Sequence, residues 1–88
     1  MRTVVVTRDN TDYSRSVETF LTDFTRQTGR ELETIDPDTL EGQSFCRTYD
    51  IVQYPTIIAL SGDGQVQNIW AGTALPTIGE VSYYVSQD

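Results

Sequence analysis

The sequence has no histidine and no lysine; all six of its basic residues are arginines. Histidine is the side chain whose charge changes near neutral pH and the commonest metal ligand. Its absence removes the usual general base and the usual metal site. A single cysteine, Cys46, excludes an internal disulfide and any cysteine-based zinc site. Small secreted domains more often carry paired cysteines, which favours a cytoplasmic setting. Positive charge is scarce: 13 acidic residues stand against the six arginines, a net charge of −7. That argues against nucleic acid and against an anionic membrane as partners, since both need clustered positive charge. The apolar run Thr3–Thr7 at the start is too short for a signal peptide or a membrane span. No spacing among the carboxylates matches a metal loop. There is no internal repeat, low-complexity segment or linker.

What is present suits one small α/β domain over residues 1–88. Hydrophobic residues make up 38%, with five Tyr, three Phe and one Trp, enough for a core. Thr3–Thr7 is a β-branched run with a polar cluster after it, the pattern of a buried, central, parallel strand. Tyr13, Val17, Phe20, Leu21 and Phe24 recur on one helical face. Asn10, Thr11 or Asp12 is placed to cap that helix, and Gly29 to end it. Glu31–Ile35 reads as a second strand at an exposed edge. Asp36-Pro37 is a helix-start signal, with Asp36 as cap. The helix expected there is short, buries Leu40, Phe45, Cys46 and Tyr49, and is weakened by Gly42 at about 1 kcal/mol against Ala.

Tyr54-Pro55-Thr56 then opens the strand Ile57-Ile58-Ala59-Leu60. Proline cannot donate to a sheet ladder, so it belongs at a strand's start. Ser61-Gly62-Asp63-Gly64 is a tight turn, and Gln65–Ala71 returns as an antiparallel strand. Strict alternation puts Val66, Asn68 and Trp70 on one face. A last helix runs from about Pro76, with Ile78, Val81 and Val85 inward and Leu75 near its start. The order is β-α-β-α-β-β-α.

At this point a family resemblance becomes specific. The run Tyr49-Asp50-Ile51-Val52-Gln53-Tyr54-Pro55-Thr56 and its hydrophobic strand, with Asp63-Gly64 and Trp70-Ala71-Gly72, resembles the C-terminal half of thioredoxins. The N-terminal half is closer in size to glutaredoxins. The resemblance implies a four-stranded mixed sheet in the order second, first, third, fourth, with helices on both faces. It implies that Pro55 is the cis-proline that shapes the family's substrate groove. The family's Cys-x-x-Cys is best matched by Thr11-Asp12-Tyr13-Ser14, where both cysteines are replaced by hydroxyl residues. A helix N-terminus makes a thiol into a nucleophilic thiolate, but a hydroxyl gains little from it and no histidine is present to activate it. The family's dithiol chemistry is therefore absent from this stretch.

Three functions follow as expectations. The first is a redox-inactive binding module that takes a protein or peptide in the groove formed by Arg8, Thr11, Asp12, Tyr13, Ser14, Tyr54, Pro55 and Thr56, by backbone pairing with an extended chain. The second is a glutathione-linked protein, or one working through the single thiol of Cys46. In glutaredoxins a basic residue three positions before the first active-site cysteine holds a glutathione carboxylate, and Arg8 matches by position. The companion Gly-Gly is only half kept, as Ala71-Gly72. The third is a homo-oligomer built through an edge strand. Plainer roles stand beside each: a solvated Arg8, capping by Thr11 and Ser14, and a small buried apolar residue at Cys46.

Overall fold

The computed structural model describes residues 2–85; the two ends of the expected 1–88 domain lie outside them. Seven elements follow in the expected order: β1 (Arg2–Val6), α1 (Ser14–Thr28), β2 (Glu33–Ile35), α2 (Leu40–Thr48), β3 (Thr56–Leu60), β4 (Val66–Ala71) and α3 (Ile78–Val85). The four strands form one mixed sheet in the order β2-β1-β3-β4. β1 is central. It is parallel to β2, with Val6 opposite Ile35, and antiparallel to β3, with Val6 opposite Thr56.

Alternation along the strands divides the core in two. Val4, Val6, Ile35, Ile58 and Leu60 face α2, which contributes Phe45 and Cys46. Val5 and Ile57 face α1 and α3, which contribute Val17, Phe24 and Val81. Because β1 and β3 are covered on both faces, they read as unbroken apolar runs. Burying each of Val4, Val5 and Val6 is worth about 1.5–3 kcal/mol.

Several local expectations are corrected. α1 has Tyr13 at its N-cap position, with no side-chain capping hydrogen bond, rather than Asn10, Thr11 or Asp12. Its end is as expected: Gly29 is left-handed (φ 73°) and its N–H donates to Thr25. α2 is capped by Thr39, not Asp36. The Thr39 hydroxyl oxygen accepts from the Gly42 N–H at 3.0 Å, while Asp36 turns its carboxylate back to accept from the Asp38 N–H. Pro37 is consequently in the turn before the helix. Leu40 is not buried but 86% exposed, since it stands on the opposite side of α2 from the buried Phe45 and Cys46. Gly42 is no weakness. A Cβ there would lie 2.7 Å from the Asp36 carbonyl carbon and 2.9 Å from Pro37 Cα, and nearer still to the Asp36 oxygen, so the close approach of the β2–α2 loop requires glycine.

β4 departs from strict alternation. The β3–β4 register shifts between Ala59 and Leu60, so that Asn68 lies opposite Ala59 but Val66 lies opposite Leu60. The bulge puts Val66 on the α2 side, away from Asn68 and Trp70. α3 begins at Ile78 rather than near Pro76, behind a reciprocal cap: Thr77 Oγ1 accepts from the Glu80 N–H, and Glu80 Oε1 accepts from the Thr77 N–H, each at 3.1 Å. No helix among the described residues is long and apolar enough to cross a membrane.

Candidate functional site

The strand directions gather four loops at one end of the sheet. β1 and the parallel β2 finish there, β3 starts there at Thr56, and β4 finishes there at Ala71. Residues 7–13, 36–39, 49–55 and 72–77 therefore form one rim. Gly72, at φ 94°, donates its N–H to the Pro55 carbonyl at 2.9 Å and ties the last loop to the third. The Tyr54–Pro55 peptide bond is cis. Thr56 is fully buried, and its hydroxyl donates to the Gln53 carbonyl at 2.6 Å, holding the turn before β3.

Beside Pro55 is an open cavity of about 150 Å³, lined by Asp12, Tyr13, Ser16, Val17, Pro55, Thr73 and Leu75. It brings together the start of α1 and the β4–α3 loop. The hydroxyls of Thr11 and Ser14 are spent locally: Ser14 Oγ donates to the Thr11 carbonyl at 2.9 Å, and Thr11 Oγ1 donates to the Arg8 carbonyl at 3.4 Å. Neither is poised as a nucleophile. Tyr13 differs, because its hydroxyl is buried and has no hydrogen-bond partner. A buried hydroxyl without a partner costs about 1–3 kcal/mol.

On the other side of Pro55, Arg8 does not stand free in solvent. Its Nε and Nη2 donate to the two Asp38 carboxylate oxygens at 3.0 and 3.1 Å. Its guanidinium also sits over the Tyr54 ring, 4.6 Å from the centroid. The hydrogen bond that Arg8 donates to Asp38 holds it above its ordinary pKa. The paired side chains are 40% and 65% exposed, a geometry that orders the rim but adds little stability. Beneath this lid, Tyr54 packs against the α2-side core. Burial first, and then the adjacent Cys46 thiol, raise the pKa of its hydroxyl, with Arg8 opposing. Cys46 itself is 7% exposed, within the core under α2. It lies behind Tyr54 rather than beside the α1 terminus.

Thus Tyr13 and Pro55 meet in one cavity together with Asp12, while Arg8 and Tyr54 form a separate stacked pair on its flank. Asp38 and Leu75 were missing from the sequence-derived site. Asp38 resembled part of a helix cap, and its ion pair joins residues thirty positions apart. Leu75 was expected only as a residue near the start of the last helix, and it lines the cavity. Among the described residues no group of His, Cys, Asp and Glu is arranged to hold a metal ion.

This sheet order, with two helices on one face, one on the other and the loop cluster at the β1 end, is the thioredoxin fold. Thioredoxin 1 from the thermophilic eubacterium Thermosipho africanus TCF52B superimposes with a TM-score of 0.67 at 17% identity, over 99% of this chain and 92% of that one. A thioredoxin from Thermus thermophilus gives 0.59 at 19% identity, over 97% of this chain and 70% of that one. No protein-family model and no curated protein matches the sequence.

Proposed function

We propose that this domain is a redox-inactive binding module that takes an extended protein or peptide segment at the rim beside Pro55. The observation that carries this reading is the cavity there, walled by Tyr13, Val17, Pro55 and Leu75, beside an α1 start that has no thiol. An apolar side chain fits the cavity, and loop backbone is at hand for strand-like pairing. The chemistry of the rim agrees: its hydroxyls are engaged locally and Cys46 is buried away from it. The single, sheltered thiol also fits a cytoplasmic home.

Glutathione linkage is the second reading, and Arg8 over Tyr54 favours it. Against it, the Arg8 guanidinium already holds both oxygens of Asp38, so a ligand carboxylate has to displace an internal one. The test is selection of a displayed random peptide library on the immobilised domain, followed by calorimetry of the enriched peptide. Wild type and Cys46→Ser should bind alike. Leu75→Asp, which puts a charge in the cavity wall, should lose roughly tenfold or more, as unpaired charge burial implies. No enrichment, or binding indifferent to Leu75→Asp, would refute the proposal.

A further inference from the structure

We propose that the segment taken beside Pro55 is basic, with a Lys or Arg next to the apolar side chain that enters the cavity, and that Asp12 receives it. This rests on the groove reading above and names the chemistry of the groove's occupant. Of the seven residues that line the cavity, Asp12 alone is charged. It is exposed, and it makes no hydrogen bond or ion pair among the described residues. The surrounding loops add charge of the same sign. The four rim segments hold five carboxylates, Asp9, Asp12, Asp36, Asp38 and Asp50, against one cation, Arg8. That cation is already engaged: it donates to both Asp38 oxygens, and its face lies over the Tyr54 ring.

Two positive features stand nearby, and neither reverses this balance. The start of α1 carries about half a positive charge, which the full charge of Asp12, one residue before the Tyr13 cap, outweighs. Arg15 is exposed in the first turn of α1 and does not line the cavity, and Glu18 follows it three residues on along the same face. The whole chain carries −7. A basic segment is therefore drawn in from a distance and then met by Asp12, whereas an acidic segment, a second copy of this chain included, is repelled by both. An uncharged segment has the cavity alone. Side chains along an extended segment are spaced by about 3.3 Å, so a Lys or Arg within two positions of the apolar anchor comes within reach of the cavity mouth.

The probe is a peptide enriched from a displayed random library on the immobilised domain at about 20 mM salt, where charge is little screened. It is synthesised as selected and with its Lys or Arg replaced by Gln. In calorimetry the Gln peptide should bind about two- to fivefold more weakly, the range of an exposed ion pair. Affinity for the selected peptide should fall steadily as salt is raised to about 0.5 M. Asp12→Asn should weaken the selected peptide by the same factor and leave the Gln peptide unaffected. Glu31→Gln removes one charge before β2, at the far end of the sheet from the rim, and should leave both peptides unaffected. Enriched peptides with no Lys or Arg near the anchor overturn this inference and leave the groove reading standing. So do affinity indifferent to salt, an Asp12→Asn domain that binds like wild type, and equal losses with Asp12→Asn and Glu31→Gln. No enriched peptide at all, or binding indifferent to Leu75→Asp, overturns both.

Discussion

Two helical glycines should respond to alanine with opposite signs. Alanine is ordinarily preferred to glycine inside a helix by about 0.8–1.0 kcal/mol. At Gly79 a Cβ meets nothing nearer than Thr77 Oγ1 at 4.0 Å, so Gly79→Ala should stabilise by up to about 1 kcal/mol. At Gly42 the same Cβ drives into the backbone of Asp36 and Pro37, at 2.7 and 2.9 Å from their carbonyl carbon and Cα. Overpacking costs about 1–3 kcal/mol, and backbone cannot rotate away as a side chain can, so the cost lies at the top of that range. Subtracting the propensity gain leaves Gly42→Ala destabilised by about 2 kcal/mol. With a urea slope of about 1 kcal/mol/M for a chain this small, the midpoint should fall by about 2 M. The same displacement should loosen the Asp36–Asp38 turn and with it the Arg8–Asp38 pair. Urea melts of the two variants beside wild type decide the matter. A Gly42→Ala protein as stable as wild type refutes the claim that the β2–α2 loop is packed on the helix.

Other outcomes follow from single residues. Tyr13→Phe removes a buried hydroxyl that has no partner, so it should leave stability unchanged or raised by about 1 kcal/mol in a thermal melt. Asp50 follows α2 in the left-handed region at φ 56°, so Asp50→Gly should stabilise by about 0.5 kcal/mol in urea melts. The hydrogen bond from Arg2 holds Glu33 below its ordinary pKa, with Nε to Oε1 at 2.8 Å. A lowered carboxyl pKa stabilises the fold above the unfolded value and ceases to do so as pH falls through the folded one. Glu33→Gln should therefore cost at most about 1 kcal/mol near neutrality and nothing in acid, since the pair is half-exposed. Tyr54 is the opposite case: its raised pKa supports the fold below the unfolded value and is lost as pH climbs through the folded one, so Tyr54→Phe should flatten the alkaline decline in stability.

The strands and the order of elements were legible because β1 and β3 are covered on both faces and β-branched, and because α1 repeats its apolar residues with a helical period over fifteen residues. The chain around Pro55 was legible for a similar reason, since proline and the following strand leave few local conformations. What escaped depends on contacts between distant residues. Gly42 looked like a helix breaker because the carbonyl it shelters comes from the preceding loop. Arg8 looked solvated because its carboxylate lies thirty residues on. The Val66 side was misassigned because a bulge has no signature in an alternation of Val, Gln and Asn. Thr77-x-x-Glu80 was different: the capping box was in plain view and marks the true start of α3.

The most direct measurement of groove binding without thiol chemistry is amide NMR of the labelled domain, titrated in turn with the selected peptide, reduced glutathione and oxidised glutathione. Binding in the groove predicts that the peptide shifts residues 11–17, 53–56 and 72–75 together, while neither form of glutathione moves them. Concerted shifts of Arg8, Tyr54 and residues 11–14 with glutathione, or peptide shifts that avoid Tyr13 and Pro55, would contradict it.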